Sequence, residues 1–378
     1  MEEGKGAVEG LVAEPGFWAG KRVFLTGHTG FKGGWLSLWL RALGAQTVGF
    51  ALSPPTSPNL YEAAKVGDSL LSLQGDVRDA QAVLDAIAEH RPEIVFHLAA
   101  QPLVRLGYDN PVETFATNVM GTVHVLDAVR RVGGTKVVIA VTSDKCYENR
   151  EWLWGYREDE PMGGADPYSS SKGCAELVTA AYRRSFFDAD HADHGVAVSS
   201  ARAGNVIGGG DWAENRLIPD AIRAFGADRR VRLRCPDALR PWQHVLDPVG
   251  GYLRLAERMW RFGAHYAQAW NFGPDGGDCK SVSWIVGRAA ELWGGRAGWE
   301  VDAGNFPHEA QLLRLDCSKA RARLNWTSIL TVEESVDMAV AWYRAHARGE
   351  DMHRYTMNEI SDYMTRTATA SGGRGREQ

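Results

Sequence analysis

Between about Phe17 and Ala201 the chain alternates short, near-continuous apolar runs with longer stretches whose apolar residues recur at helical spacing. The runs are Arg22–Thr26, Thr47–Ala51, Leu70–Gln74, Glu93–Leu98, Lys136–Thr142 and Val196–Ala201. Runs this short and this apolar suit strands covered on both faces. The stretches between them, Gly34–Leu43, Ala80–His90, Val112–Val132 and Pro167–Phe187, predict helices. In the first, Trp35, Leu36, Trp39, Leu40 and Leu43 share one face, and Gly44 stands where a helix end favours a left-handed residue. Such alternation predicts an α/β fold, a Rossmann-like doubly wound parallel sheet.

After about Asn205 the pattern changes. Loops rich in Gly, Pro, Asp and Trp separate shorter elements, with helices expected at Leu246–Trp260, Val282–Leu292 and Val332–Ala345. We read this part as a smaller C-terminal α/β lobe that closes over the mouth of the sheet. The expected divisions are a tail over 1–16, a Rossmann domain over 17–204, and a substrate-binding lobe over 205–347 with segments that can return to the first domain. An extension follows over 348–378. Its Gly- and Arg-rich end, Ala370–Arg376, has nothing to bury and is expected to be disordered.

At 378 residues the chain has room for both parts. The net charge of -5 supplies no basic excess for nucleic acid, so any anion must be met by individual Arg and Lys side chains. The cysteines, Cys146, Cys174, Cys235, Cys279 and Cys317, are odd in number and form no C-x-x-C pair. That argues against a disulfide framework or a zinc site and for reduced thiols in a cytoplasmic protein. The acidic N-terminal segment lacks the apolar core of a secretory signal. No apolar run approaches the ~20 residues that cross a bilayer.

Candidate chemistry begins where Arg22–Thr26 runs into Gly27-His28-Thr29-Gly30-Phe31-Lys32-Gly33 and then a helix. Of glycines spaced three apart, the first permits a tight turn, the second lets backbone approach a pyrophosphate, and the third lets helix pack on strand. The helix N-terminus then offers free N–H groups and the positive end of its dipole. A strand before and a helix after are the context such a turn needs. The second strand should next present an acid to an adenosine ribose. Ser53-Pro54-Pro55-Thr56-Ser57-Pro58 offers none, and no obvious Arg, which leaves NAD and NADP open at this position. Asp76, in Gly75-Asp76-Val77-Arg78-Asp79, is placed either to accept from an adenine amino group or to cap the next helix, and Asp79 is the better cap.

Tyr168 and Lys172 stand four apart behind Asp166-Pro167, a good helix start, so their side chains share a face. A free phenol titrates near ~10, and a neighbouring ammonium favours its phenolate. Tyr168 could then take a proton from a substrate hydroxyl. The fifth strand ends in Thr142-Ser143-Asp144-Lys145-Cys146-Tyr147, beyond the carboxyl end of the sheet where ligands of this fold sit. Ser143 can hydrogen-bond a reacting hydroxyl, a protonated Asp144 can give a proton to a departing hydroxide, and a neutral Lys145 can take one from carbon. The bland alternative is an Asp/Lys turn that merely caps the strand.

Five segments together resemble one family: Thr26–Gly33, His97-Leu98-Ala99-Ala100, Thr142–Asn149, Asp166–Lys172 and Arg240-Pro241-Trp242-Gln243-His244-Val245. They are similar to the nucleotide-sugar 4,6-dehydratases of the extended short-chain dehydrogenase class, and within it to CDP-glucose 4,6-dehydratases. The likeness runs from about Phe17 to Ala347. Dehydratases acting on dTDP-glucose carry Thr-Asp-Glu where this chain has Ser143-Asp144-Lys145.

The resemblance implies a redox-neutral elimination. Tyr168, with Ser143 and Lys172, oxidises C4 of glucose against tightly held NAD. Lys145 removes the C5 proton or, as a cation, steadies an enolate, and Asp144 assists loss of the C6 hydroxyl. It further implies that Gly27, Thr29, Gly30, Phe31, Lys32, Gly33, Asp76, Val77, Leu98, Ala99 and Ala100 line the cofactor together with Tyr168 and Lys172.

Asn205 is the expected ligand of the sugar diphosphate, with Arg216 and Arg240 as phosphate clamps. Arg105 and His244 complete the candidate substrate contacts. For either arginine the plain alternative is a surface charge. His97 and Asn118 are expected to be structural. The long helices Val112–Val132 and Pro167–Phe187 imply a four-helix interface, hence a homodimer or a dimer of dimers. A 4-epimerase, or a dehydratase of another sugar nucleotide, shares most of these features.

Overall fold

The computed structural model describes residue 14 and residues 16–187, 195–274, 279–302, 304 and 312–374, with 370–374 as backbone. The expected N-terminal tail therefore lies almost wholly outside the described residues.

Six strands follow the expected order: β1 (Arg22–Thr26), β2 (Gln46–Ala51), β3 (Leu71–Gln74), β4 (Ile94–His97), β5 (Val137–Val141) and β6 (Ala197–Arg202). They form a parallel sheet in the order β6-β5-β4-β1-β2-β3, and a seventh strand, Ala269–Asn271, pairs parallel to β6 at the edge. Strand alternation divides the apolar side chains between two layers. Leu25, Phe96, Ile139 and Ala201 face a large core with Trp35, Trp39 and Val249, whereas Phe24, Val95, Val138 and Val198 face a smaller one with Val83, Ile87 and Val129.

Helix α1 (Phe31–Ala42) starts earlier than the pattern from Gly34 suggested, because Phe31, Lys32 and Gly33 of the glycine turn already belong to its first turn. The stretch expected as one helix over Val112–Val132 is Pro111–Phe115, a π-helical turn Ala116–Met120, and Gly121–Val132. The C-terminal part supplies helices Leu246–Phe262, Val282–Trp293 and Val332–Ala347.

The segment 348–374 packs against the body. Its helix, Met352–Arg374, sets Tyr363 edge-on to Trp39 of α1 at 5.4 Å and lets the Tyr363 hydroxyl donate to the buried Asp247 at 2.7 Å. Helical backbone thus reaches into the Gly- and Arg-rich end as far as Arg374, and 375–378 lie outside the described residues. No described helix is long and apolar enough to cross a membrane. None of the five cysteines is joined in a disulfide.

Candidate active site

In a parallel sheet every strand ends at the same edge, so the loops after β1, β4, β5 and β6 converge. They converge here on a cavity of ≈ 1210 Å³, closed on its far side by segments of the C-terminal part. That exceeds the ~300–1,000 Å³ typical of a pocket for one small ligand.

The glycine turn forms one wall. Gly27 has φ +80, and a Cβ there would meet the Ala99 nitrogen at 2.7 Å. A Cβ on Gly33 would stand 2.1 Å from the Gly27 carbonyl oxygen, so the start of α1 can seat on the turn only without a side chain. Gly30 differs, since a Cβ there would touch only the Gly27 oxygen, at 3.4 Å, and otherwise face the cavity. No acidic side chain stands in the first turn of α1 to occupy its N–H groups. Such a cradle, open at Gly30 and edged by helix N–H groups, fits a pyrophosphate and hence a dinucleotide.

Thr29, Phe31, Lys32, Val77, Leu98, Ala99 and Ala100 also line the cavity. Asp76 does too, but its carboxylate is engaged: it accepts from the Arg78 backbone at 2.9 Å and side chain at 2.8 Å, and this bonding holds it below the usual range. Asp79 caps Ala80–His90, as expected, by accepting from Gln81 and Ala82 at 3.0 Å.

The residues after β5 and on the helix Pro167–Phe186 meet at the centre. The Ser143 hydroxyl donates to the Asp144 carboxylate at 2.9 Å, and the Asn205 amide reaches its other oxygen at 3.4 Å. Asp144 is buried, and Gly204 makes that possible, since a Cβ there would fall 1.8 Å from the carboxylate. Burial pushes the Tyr168 phenol up to about 12, against a hydrogen bond with Ser143 that draws it down. Burial draws the Lys172 amine down to about 8 while Glu176 and Cys146 hold it up. Lys145 lines the cavity with an exposed side chain. Lys32, taken from the sequence as part of the turn, extends toward this centre. Burial and then the like charges of Arg216 and Lys172 draw it down to about 7, with Asp144 opposing.

Arg105, Asn205, Arg216 and Arg240 all line the cavity, and Arg216 is held by Asp211 at 2.8 Å. Arg232 and Arg234, which the sequence analysis passed over, line it as well. His244 is the exception among the candidate substrate residues, since it does not line the cavity. It is fully buried, lies edge-on to Trp35 at 5.9 Å, and accepts from the Leu246 N–H at 3.4 Å, away from the lining. Its strand, Gln243–His244, pairs with Val206–Ile207 beneath the loop, and burial draws the imidazole down to about 3, which leaves it a neutral packing group. His97 is likewise internal, bonded to Thr26 at 2.8 Å and Thr122 at 3.2 Å. Asn118 ties Gln101 to Ser171 of the Tyr168 helix.

Residues 24–339 match the family model described as GDP-mannose 4,6 dehydratase. The chain belongs to the nucleotide-sugar 4,6-dehydratase family. Within that family it is 56% identical to the CDP-glucose 4,6-dehydratase of Salmonella typhimurium, over 93% of this chain and 98% of that protein. It is 26% identical to a GDP-mannose 4,6-dehydratase of Vibrio cholerae, over 83% and 91% of the two chains. Among solved structures, dTDP-glucose 4,6-dehydratase of Bacillus anthracis in complex with NAD matches with a TM-score of 0.71 at 20% identity, over 89% of this chain and 99% of that one. UDP-glucose 4-epimerase of Thermotoga maritima matches with a TM-score of 0.74 at 20% identity, over 86% and 99%. Both structural likenesses bear on the fold, and they place dehydratases and epimerases on one scaffold.

Proposed function

We propose that this family member converts CDP-glucose to CDP-4-keto-6-deoxyglucose and water, with residues 17–204 holding NAD and 205–347 mainly holding the sugar nucleotide. The observation that carries the reading is the buried Asp144, fixed between Ser143 and Asn205 in the same cavity as Tyr168 and Lys172. A 4-epimerase needs the Tyr/Lys pair but no acid to expel water. Cytosine as the base rests on the 56% identity to the Salmonella protein. NAD over NADP is favoured because Arg78, at the ribose end of the cavity, is already paired with Asp76 at 2.5 Å and Glu113 at 3.4 Å, and because a cofactor restored in each turnover can stay bound.

When bound, NAD supplies the acceptor for a hydride from C4 and gives the same hydride back at C6. Tyr168, as phenolate, takes the proton of the C4 hydroxyl, with Ser143 holding that hydroxyl and the Lys172 ammonium favouring the phenolate. The 4-keto group acidifies C5. Lys145 acts there, as base or as a cation beside the enolate, and Asp144 gives its proton to the departing C6 hydroxide. Asn205, Arg216 and Arg240 hold the diphosphate.

The reduced thiols suit a cytoplasmic setting. Exposed Val112 and Met120 on one long helical segment, and Leu177 and Phe186 on the other, support pairing of two copies through these helices. Light scattering of the purified protein reads that state directly.

Mass spectrometry of CDP-glucose incubated with the NAD-loaded protein tests the main reading. Loss of water without net accumulation of reduced cofactor is expected, with dTDP-, UDP- and GDP-sugars turned over more slowly. An unchanged mass with inverted C4 by NMR would make the protein an epimerase.

A further inference from the structure

We propose that Glu176 is a positioning residue of the catalytic centre: one buried carboxylate that steadies both the Lys172 ammonium and the strand end carrying Ser143 and Asp144. The inference rests on the reading of Tyr168 and Lys172 as the acid–base pair. Glu176 follows Lys172 by one helical turn in Pro167–Phe186, so the two side chains share a face. Its side chain is 4% exposed. One carboxylate oxygen accepts from the hydroxyl of Thr142, the residue before Ser143. The other accepts from Ser200 at 2.6 Å and from the Arg202 guanidinium at 2.8 Å. Arg202 also donates to the Tyr147 hydroxyl at 2.5 Å, and that hydroxyl donates to Asn271 at 2.7 Å. A single group thus ties the catalytic helix to β5, β6 and the turn that follows β5.

The electrostatics run the same way. Burial pushes the Glu176 carboxyl up, but Arg202 and the hydrogen bonds from Arg202, Ser200 and Thr142 outweigh it and hold Glu176 below the usual range. It is therefore ionised. Lys172, in contrast, donates a single long bond among the described residues, to the Val141 carbonyl at 3.4 Å. The titratable groups that face it are Tyr168 and Glu176 on its own helix, Cys146 after β5, His97 on β4 and Lys32 on α1. Burial keeps Cys146 a thiol and draws His97 down to about 3, so both are uncharged, and Lys32 is a like charge when protonated. Glu176 is the anion of that set. Without it, the main opposition to burial of Lys172 is gone and the ammonium is surrendered at lower pH. Tyr168 would then lose the ammonium of the proposed pair and keep Arg216 as the cation that draws its phenol down.

Carbon-13 NMR of labelled lysine, with the Lys172 signal assigned by its absence in Lys172→Arg, reads the amine without any turnover. In Glu176→Gln the Lys172 midpoint should fall by about one pH unit, a tenfold weaker hold on the proton. The alkaline limb of kcat should move to lower pH by the same amount, since the protonated amine is the active form. Thr142→Val keeps the charge but cuts the tie to the strand end. It should leave the Lys172 midpoint in place and lower kcat about tenfold with little change in KM.

Because Arg202 is left buried without its carboxylate in Glu176→Gln, the double variant Glu176→Gln, Arg202→Met removes the ion pair together and carries the same test if the single change does not fold. A folded variant lacking Glu176 whose Lys172 midpoint is unmoved overturns the proposal and leaves Glu176 as an internal ion pair. Native protein that dehydrates no sugar nucleotide would sink the functional reading instead, and the titration tells the two failures apart.

Discussion

Two walls of the cavity are built by different means. At the glycine turn the wall is backbone, and Gly27 and Gly33 leave no room for even a methyl group. Elsewhere the wall is made of long side chains: Arg216 clasped by Asp211, with Arg232, Arg234 and Arg240 also in the lining. A backbone wall fits one ligand shape and fails all at once. A wall of paired side chains can be retuned one residue at a time, which suits the contacts in which sugar nucleotides differ.

Gly33→Ala should break the first wall with the largest effect. Its methyl would need the space of the Gly27 carbonyl, and neither backbone segment can yield cheaply. Calorimetric titration with NAD should show binding abolished, and overpacking of about 1–3 kcal/mol should lower the melting temperature. Retained NAD affinity would refute the cradle.

The centre between the walls comes next. Tyr168→Phe should prevent reduction of the bound cofactor by substrate, at a cost of about 10²–10⁴ in rate. Asp144→Asn should still permit that reduction but slow loss of water by about 10², so the reduced cofactor accumulates in a single-turnover absorbance trace. Equal loss of the first hydride transfer in both variants would count against these roles.

Arg216→Met probes the second wall. KM should rise by about tenfold or more, on the scale of one charged hydrogen bond of about 1.5–3 kcal/mol, while kcat changes little. Asp211→Asn, which loosens the clasp but keeps the cation, should raise KM less. Smallest of all, His244→Phe should leave KM within about twofold, because the ring touches Trp35 and not the cavity, and should cost only about 1 kcal/mol of stability from the lost Leu246 bond. A large KM effect would return His244 to the substrate site.

The same contrast explains what could be read from the sequence. β1 and the helix Ala80–His90 fall where the apolar pattern places them, and β2 to β6 shift by a residue or so at their ends, because alternation and helical spacing are local signals, whereas the edge strand Ala269–Asn271 was not anticipated. The glycine turn was legible for the same reason. The π-helical turn at Ala116–Met120 was not, because it is held by Asn118 bonding Gln101 and Ser171, partners far off in the chain. Gly204 looked like an ordinary loop glycine, and only the folded chain brings Asp144 against it. Arg216 was visible as a cation but its clasp was not, since Asp211 and Arg216 share no helix. His244 misled by adjacency: it follows Arg240 closely in sequence, yet sits on a separate short strand that turns it inward.

The strand Ala269–Asn271 has a consequence for handling the protein in pieces. It comes from the later part of the chain but forms the outer rail of the first sheet, and Asn271 clamps the Tyr156 and Asp316 carbonyls at 2.8 and 3.1 Å. A fragment ending at 204 would keep its glycine turn but leave β6 as a bare edge, an invitation to intermolecular pairing. Chain cutting and shuffling should therefore respect Asn271, because the sheet that begins at Arg22 is not finished until the chain has passed through the lobe and come back.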